Sequence, residues 1–158
     1  MSTLTSLKLT NATKPTSMPV IQQKRNKLTT KIWEQIQLAE AQASGGTYAS
    51  KRFKTITTAD GDRKTVELEK RVRPWWFTNE EGKLCVAVKY GSKAIHLAKD
   101  KTAVELGSKD ELVNTLKVLK SAIELGELDQ EIEKASGTIR ARFKRYVFKM
   151  SFERHFET

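Results

Sequence analysis

The sequence predicts an α+β fold: a mostly antiparallel meander sheet of about five strands, with an N-terminal amphipathic helix, a C-terminal capped helix and a flexible N-terminal arm. Three observations predict it. Apolar residues recur at helical spacing after Pro19 and again after Ser108, and residues 47–107 between them change to period two. Short turns containing Gly, Asp or Asn separate the period-two runs, and strands joined so closely must pair antiparallel, because a parallel partner needs a long crossover. The 158 residues suffice for one domain with its own core. The expected organisation is an arm over 1–19, a single α+β domain over 20–137 and a basic aromatic tail over 138–158.

Residues 1–19 are rich in Ser, Thr, Asn and Pro with scattered leucines, the composition of a segment that orders poorly by itself. Ile21, Leu28, Ile32, Ile36 and Ala39, with Trp33 beside them, then mark an amphipathic helix of about twenty residues that Gly45-Gly46 ends. Lys24, Arg25, Lys27 and Lys31 crowd its N-terminal half, where the helix dipole disfavours cations. That local cost suggests that these cations serve a partner.

Phe53 and Ile56 lead into the turn Ala59-Asp60-Gly61-Asp62, a hairpin signal. Val66, Leu68 and Val72 then alternate with Glu67, Glu69, Arg71 and Arg73, as in a half-buried strand. The same strand is expected to run on through Trp76, and further strands are expected across Leu84–Tyr90, at Ile95–Leu97 and at Val104–Leu106. Ser108 reads as an N-cap with Glu111 completing a capping box, Leu112, Leu116, Leu119 and Ile123 as the buried stripe, and Gly126 as the C-cap. Ser136-Gly137 is expected to break the acidic segment that follows. The tail from Thr138 fits a helix, with Ile139, Phe143, Tyr146, Val147 and Met150 on one face and Phe148, Phe152 and Phe156 opposite, or a strand, which its β-branched and aromatic content favours slightly.

Composition excludes several functions. No apolar run is long enough to span a membrane, and the N-terminus lacks the layout of a secretory signal, so a cytoplasmic location is expected. One cysteine, Cys85, and two distant histidines, His96 and His155, provide neither a disulfide nor a metal site. No glycine-rich phosphate loop, Ser/His/Asp set or paired-carboxylate strand occurs, so neither an enzyme nor a bound cofactor is expected.

Charge points instead to a partner. The net charge is +10, and by segment it is +7 over 1–58, +2 over 59–107, −3 over 108–137 and +4 over 138–158. The excess lies at the two ends, which could embrace a polyanion from two sides. Lys70-Arg71-Val72-Arg73-Pro74-Trp75-Trp76-Phe77 is the most unusual stretch. On a regular strand Arg71, Arg73, Trp75 and Phe77 share one face, which mixes cations with rings on which bases can stack. Alternatively a helix covers that face and makes Trp75 and Phe77 core residues. The candidate binding residues are therefore Lys24, Arg25, Lys27, Lys31, Arg71, Arg73, Trp75, Phe77, Arg140, Arg142, Lys144 and Arg145. The expected partner is nucleic acid, single-stranded DNA or RNA favoured, or else an acidic host protein. Self-association is a further option, because Pro74 suggests an edge and an alternating tail could pair with a second copy.

The block RPWWFTNEEGKLCVAVKYGSKAIHLAKDKTAVELGSKDELVNTLKVLKSAIELGELD (Arg73 to Asp129), together with the opening MSTLTSLKLTNA, resembles a family of small, basic, functionally uncharacterised proteins encoded by bacteriophages and integrated elements of proteobacteria. The resemblance implies a genomic setting and carries over no catalytic or binding residues. It favours two roles: a helper in phage nucleic-acid metabolism, or an early protein that binds and redirects host machinery.

Overall fold

In the computed structural model, residues 3–156 have a described backbone and residues 5–147 described side chains. A short 3-10 turn at Thr3–Ser6 is followed by an exposed, irregular arm. Helix α1, Val20–Ala43, forms where the apolar spacing predicts it and buries Leu28, Ile32, Ile36, Leu38 and Ala39. It ends in a Schellman motif: the Gly46 N–H reaches the Ala41 carbonyl (2.8 Å), the Gly45 N–H reaches that of Gln42 (3.1 Å), and Gly45 takes φ 79°. Trp33 stands outside the buried stripe, edge-on to Tyr48 with the ring centroids 6.2 Å apart.

The strands are antiparallel throughout, and they are divided among three small sheets. β1 (Ala49–Thr57) and β2 (Arg63–Arg71) form a two-stranded ribbon with nine cross-strand pairs, from Ala49↔Arg71 at its base to Thr57↔Arg63 at its tip. β3 (Trp76–Thr78), β4 (Leu84–Ala87) and β7 (Ala103–Leu106) form a sheet of order β3-β4-β7. β5 (Lys89–Tyr90) and β6 (Lys93–Ala94) make a short hairpin. The meander is interrupted at Val72–Trp75, where the chain leaves the ladder: Pro74 has no N–H to donate, and no strand continues across it. The ribbon is consequently exposed on both faces, with Leu68 46% and Phe53 66% exposed, and Val66 alone is half-buried within β2. The half-buried strand expected there is not what forms.

Helix α2, Glu111–Leu125, buries Leu112, Leu116, Leu119 and Ile123 as expected, and Gly126, at φ 85°, closes a second Schellman motif through Glu127 N–H to the Ala122 carbonyl. Its start differs from the expected capping box. The helix begins after Asp110, no side chain caps it, and Glu111 instead folds back so that its carboxylate accepts from the Gly107 N–H at 3.1 Å. One core joins these elements: the α1 and α2 stripes meet Trp75, Val86, Val88, Tyr90, Ile95 and Leu106 from the strands and Leu128, Ile132 and Ala135 from the third helix. Cys85 is buried in β4, as a small filler should be.

That third helix, α3 (Asp129–Phe156), settles the tail as helical. Ser136-Gly137 does not break it. Gly137 lies in open space and costs the helix only its lack of a side chain. Ile132, Ala135 and Ile139 anchor the first three turns, after which residues 141–147 are exposed all round. Over 138–156 a strand available to pair with a second copy is thereby excluded, because those backbone groups lie within the helix; the last two residues of the expected tail fall outside the described residues.

Candidate functional site

α1, the base of the ribbon and β5 enclose a cleft of about 620 Å³. Its walls carry Lys27, Lys31, Lys70, Arg71, Arg73 and Lys89, and the one carboxylate among its lining residues is Glu34. Helical spacing puts Lys27 and Lys31 one turn apart on the same side of α1, and Glu34 another turn along. Both oxygens of that carboxylate are occupied, one by Lys31 Nζ at 2.8 Å and one by the Ser50 hydroxyl of β1 at 3.0 Å, so that it fastens the ribbon base to α1. Lys27 lies over the Tyr90 ring, 5.4 Å from its centroid. Lys31 is the one cation of the six that has an ion pair among the described residues.

Gln35 shapes the wall. It is 3% exposed, within the apolar stripe of α1, and its amide takes the place of a neighbouring strand for the interrupted segment: Nε2 donates to the Arg73 carbonyl at 2.9 Å, and Oε1 accepts from the Trp75 N–H at 2.9 Å. The Trp75 carbonyl in turn accepts from the Ala87 N–H at 3.1 Å. These three bonds satisfy a stretch that has left its ladder, and they hold Arg73 at the cleft while Trp75 turns inward.

The structure divides the ten basic candidates into three groups. Lys27, Lys31, Arg71 and Arg73 meet at the cleft. Lys24 and Arg25 do not join them: Lys24 pairs with Glu133 at 2.7 Å, and Arg25 makes a two-pronged ion pair with Asp129, its Nε donating to Oδ1 at 2.7 Å. Hydrogen bonding to Arg25 holds the Asp129 carboxyl below its ordinary value, and the same bond raises the Arg25 guanidinium. Two of the four cations that oppose the α1 dipole, Lys24 and Arg25, are thus compensated by the acidic first turns of α3, and for these two the cost read as a sign of an outside partner is met inside the molecule. Arg140, Arg142, Lys144 and Arg145 are exposed on α3, and Arg142 lines a smaller cavity with Ser92, Lys93, Thr138 and Ile139. Ser92 adjoins Gly91 of the cleft, so the base of the tail lies across the β5–β6 turn from it.

Trp75 and Phe77 do not form a joint stacking surface. Trp75 is 9% exposed and belongs to the core, whereas Phe77, opposite Cys85 in the β3–β4 ladder, is 47% exposed. Trp75 precedes β3 and packs into the core, whereas Phe77 lies within β3 with its ring half exposed. Sequence reasoning missed Lys70, Lys89 and Gln35. The signal for Gln35 was present, since a glutamine seven residues after Leu28 interrupts an apolar stripe. Lys70 and Lys89 are hidden by a segment count that averages them with eight carboxylates, none of which lines the cleft. Among the described residues no three His, Cys, Asp or Glu side chains are placed to hold a metal ion, and no helix is long and apolar enough to cross a membrane.

Fold and cleft together define an α+β domain with a polycationic cleft at the foot of a projecting β-ribbon. The chain belongs to a family of unknown function, DUF6641, which matches residues 5–132, from the arm to the first turn of α3. No curated protein matches the chain, and no solved structure does.

Proposed function

We propose that the chain is a phage-encoded, non-enzymatic accessory protein that binds nucleic acid in the cytoplasm of the bacterial host, and that it needs no cofactor. One observation supports this reading above the others: six cations from α1, β2, the Arg73 segment and β5 converge on one cleft against Glu34 alone. Five of them have no ion-pair partner among the described residues, so their charge is free to displace the counterions of a phosphate backbone. Arg140, Arg142, Lys144 and Arg145, exposed beyond the β5–β6 turn, extend the same grip. Fluorescence anisotropy with labelled oligonucleotides tests it. Affinity should fall steeply with salt, with a log–log slope of about 0.7 to 0.9 per phosphate contact, and no binding to any nucleic acid at about 50 mM salt would refute the proposal.

A second reading draws on a different observation. Past Ile139, Phe143, Tyr146 and Val147 continue along one side of α3 and are 67%, 60% and 49% exposed. A helix side of this composition suits docking on a host protein, the role of a phage early protein that modulates transcription, replication or defence machinery. A stoichiometric protein partner retained after nuclease treatment, and lost in a Phe143→Ser/Tyr146→Ser variant, would favour it over nucleic-acid binding.

A further inference from the structure

The two faces of the β1–β2 ribbon are chemically unlike. In an antiparallel ladder, directly paired residues share a face and successive pairs alternate. The register therefore places the pairs Ser50↔Lys70, Arg52↔Leu68, Lys54↔Val66 and Ile56↔Lys64 together on one side. Every one of these pairs contributes a cation and none contributes a carboxylate. The opposite side is mixed: it carries Glu67 and Glu69 beside Lys51, Arg63 and Arg71, and there Lys51 is neutralised by Glu67 at 2.7 Å. Arg52, Lys54, Lys64 and Lys70 have no ion pair among the described residues, and the first three are not part of the cleft. Lys70 belongs to both surfaces, so the cationic side of the ribbon runs without interruption into the cleft.

We infer that this side of the ribbon is a duplex-DNA-reading element that enters the major groove while the cleft at its base holds the flanking phosphates; the inference rests on the nucleic-acid reading given above. The dimensions suit it. The major groove of B-form DNA is about 12 Å wide and admits a two-stranded ribbon, whereas that of A-form RNA is too narrow and deep for side chains to read. Nine residues per strand give the ribbon a reach of about 30 Å. The surface chemistry suits it as well. Between the cations lie Ile56, Val66 and Leu68, aliphatic groups of the kind that meet thymine methyls, with Ile56 and Leu68 40% and 46% exposed. No aromatic ring lies on this side, and Trp75 is buried, so the stacking surface that single strands need is missing from it. The exposure of a ribbon with unsatisfied aliphatic side chains is otherwise a liability in water, and a groove that covers it removes that liability.

The test uses the full chain and four probes of equal length: duplex DNA of mixed sequence, its single strand, duplex RNA and an RNA single strand, each titrated across a salt series. The parent should bind duplex DNA at least tenfold more tightly than the other three. R52Q/K54Q/K64Q should lose about 2.7 from the salt slope on duplex DNA. Its melting temperature should stay within a few degrees, since all three side chains are exposed. If that variant does not fold, the single substitution Lys54→Gln should still lower the slope by about 0.9. Binding with an unchanged slope would overturn the ribbon assignment and leave the nucleic-acid reading standing, as would equal or tighter binding of single strands or duplex RNA. Failure to bind all four probes would overturn both.

Discussion

Replacing Gln35 by Ala probes how the cleft is held. The substitution removes both partners of the interrupted segment, the donor to the Arg73 carbonyl and the acceptor for the Trp75 N–H. Trp75 is buried, so its N–H loses its partner without access to water, at about 1 to 3 kcal/mol; the carbonyl of exposed Arg73 can be rehydrated and adds about 1 kcal/mol or less. The expected loss is about 1 to 4 kcal/mol. For a chain of this size each kcal/mol lowers the melting temperature by about 2 to 4 °C, so differential scanning calorimetry should show a fall of about 2 to 16 °C. Nucleic-acid affinity should fall too, because Arg73 is no longer held. Gln35→Glu sharpens the test. A carboxyl buried there is held above its unfolded value of about 4.3, and its protonated form can donate to the Arg73 carbonyl as the amide does. That variant should therefore be closest to the parent below about pH 4.3 and lose stability as pH rises toward neutrality. A Gln35→Ala melting temperature within about 1 °C of the parent would refute the claim that this amide replaces a missing strand.

Other expectations follow from single contacts. Asp129, lowered by its hydrogen bond to Arg25, contributes stability above its unfolded value of 3.8 that is lost as pH falls through the depressed value. Asp129→Asn should thus melt below the parent at neutral pH, with the gap closing in acid, as thermal melts across pH would report. Gly137→Ala should stabilise α3 by about 1 kcal/mol, a rise of a few degrees, because no atom lies within 4 Å of the added methyl. Glu34→Gln removes the sole carboxylate of the cleft and keeps an acceptor for Ser50; relief of about 1 kcal/mol of repulsion should tighten polyanion binding roughly fivefold at low salt.

The elements that follow one periodicity without competition are legible in the sequence: the α2 stripe from Leu112 to Ile123, the glycines that close α1 and α2, and the Asp-Gly hairpin. Reading fails where tertiary contacts outweigh a local preference. Ser136-Gly137 reads as a break, yet Ile132, Ala135 and Ile139 anchor the helix on both sides of it. Lys24 and Arg25 read as solvent-facing, because the carboxylates that neutralise them lie more than a hundred residues away. Cleft residues were visible one by one, as the run from Lys70 to Phe77 shows. Their grouping was not, since Pro74 turns Trp75 into the core and leaves Arg73 outside, and no alternation rule carries across that break.

The ribbon also has a bearing on solubility. As a two-stranded sheet it leaves the outer backbone edges of β1 and β2 without ladder partners, an invitation for a second ribbon to add on. Arg52, Lys54, Lys64 and Lys70 stand along those edges, and their mutual repulsion keeps two molecules from aligning strand to strand. A dense polyanion would cancel that repulsion, so mixtures near charge neutrality should turn cloudy and clear again when either component is in excess. The charges proposed to bind nucleic acid would thus also oppose association of the free chain with itself.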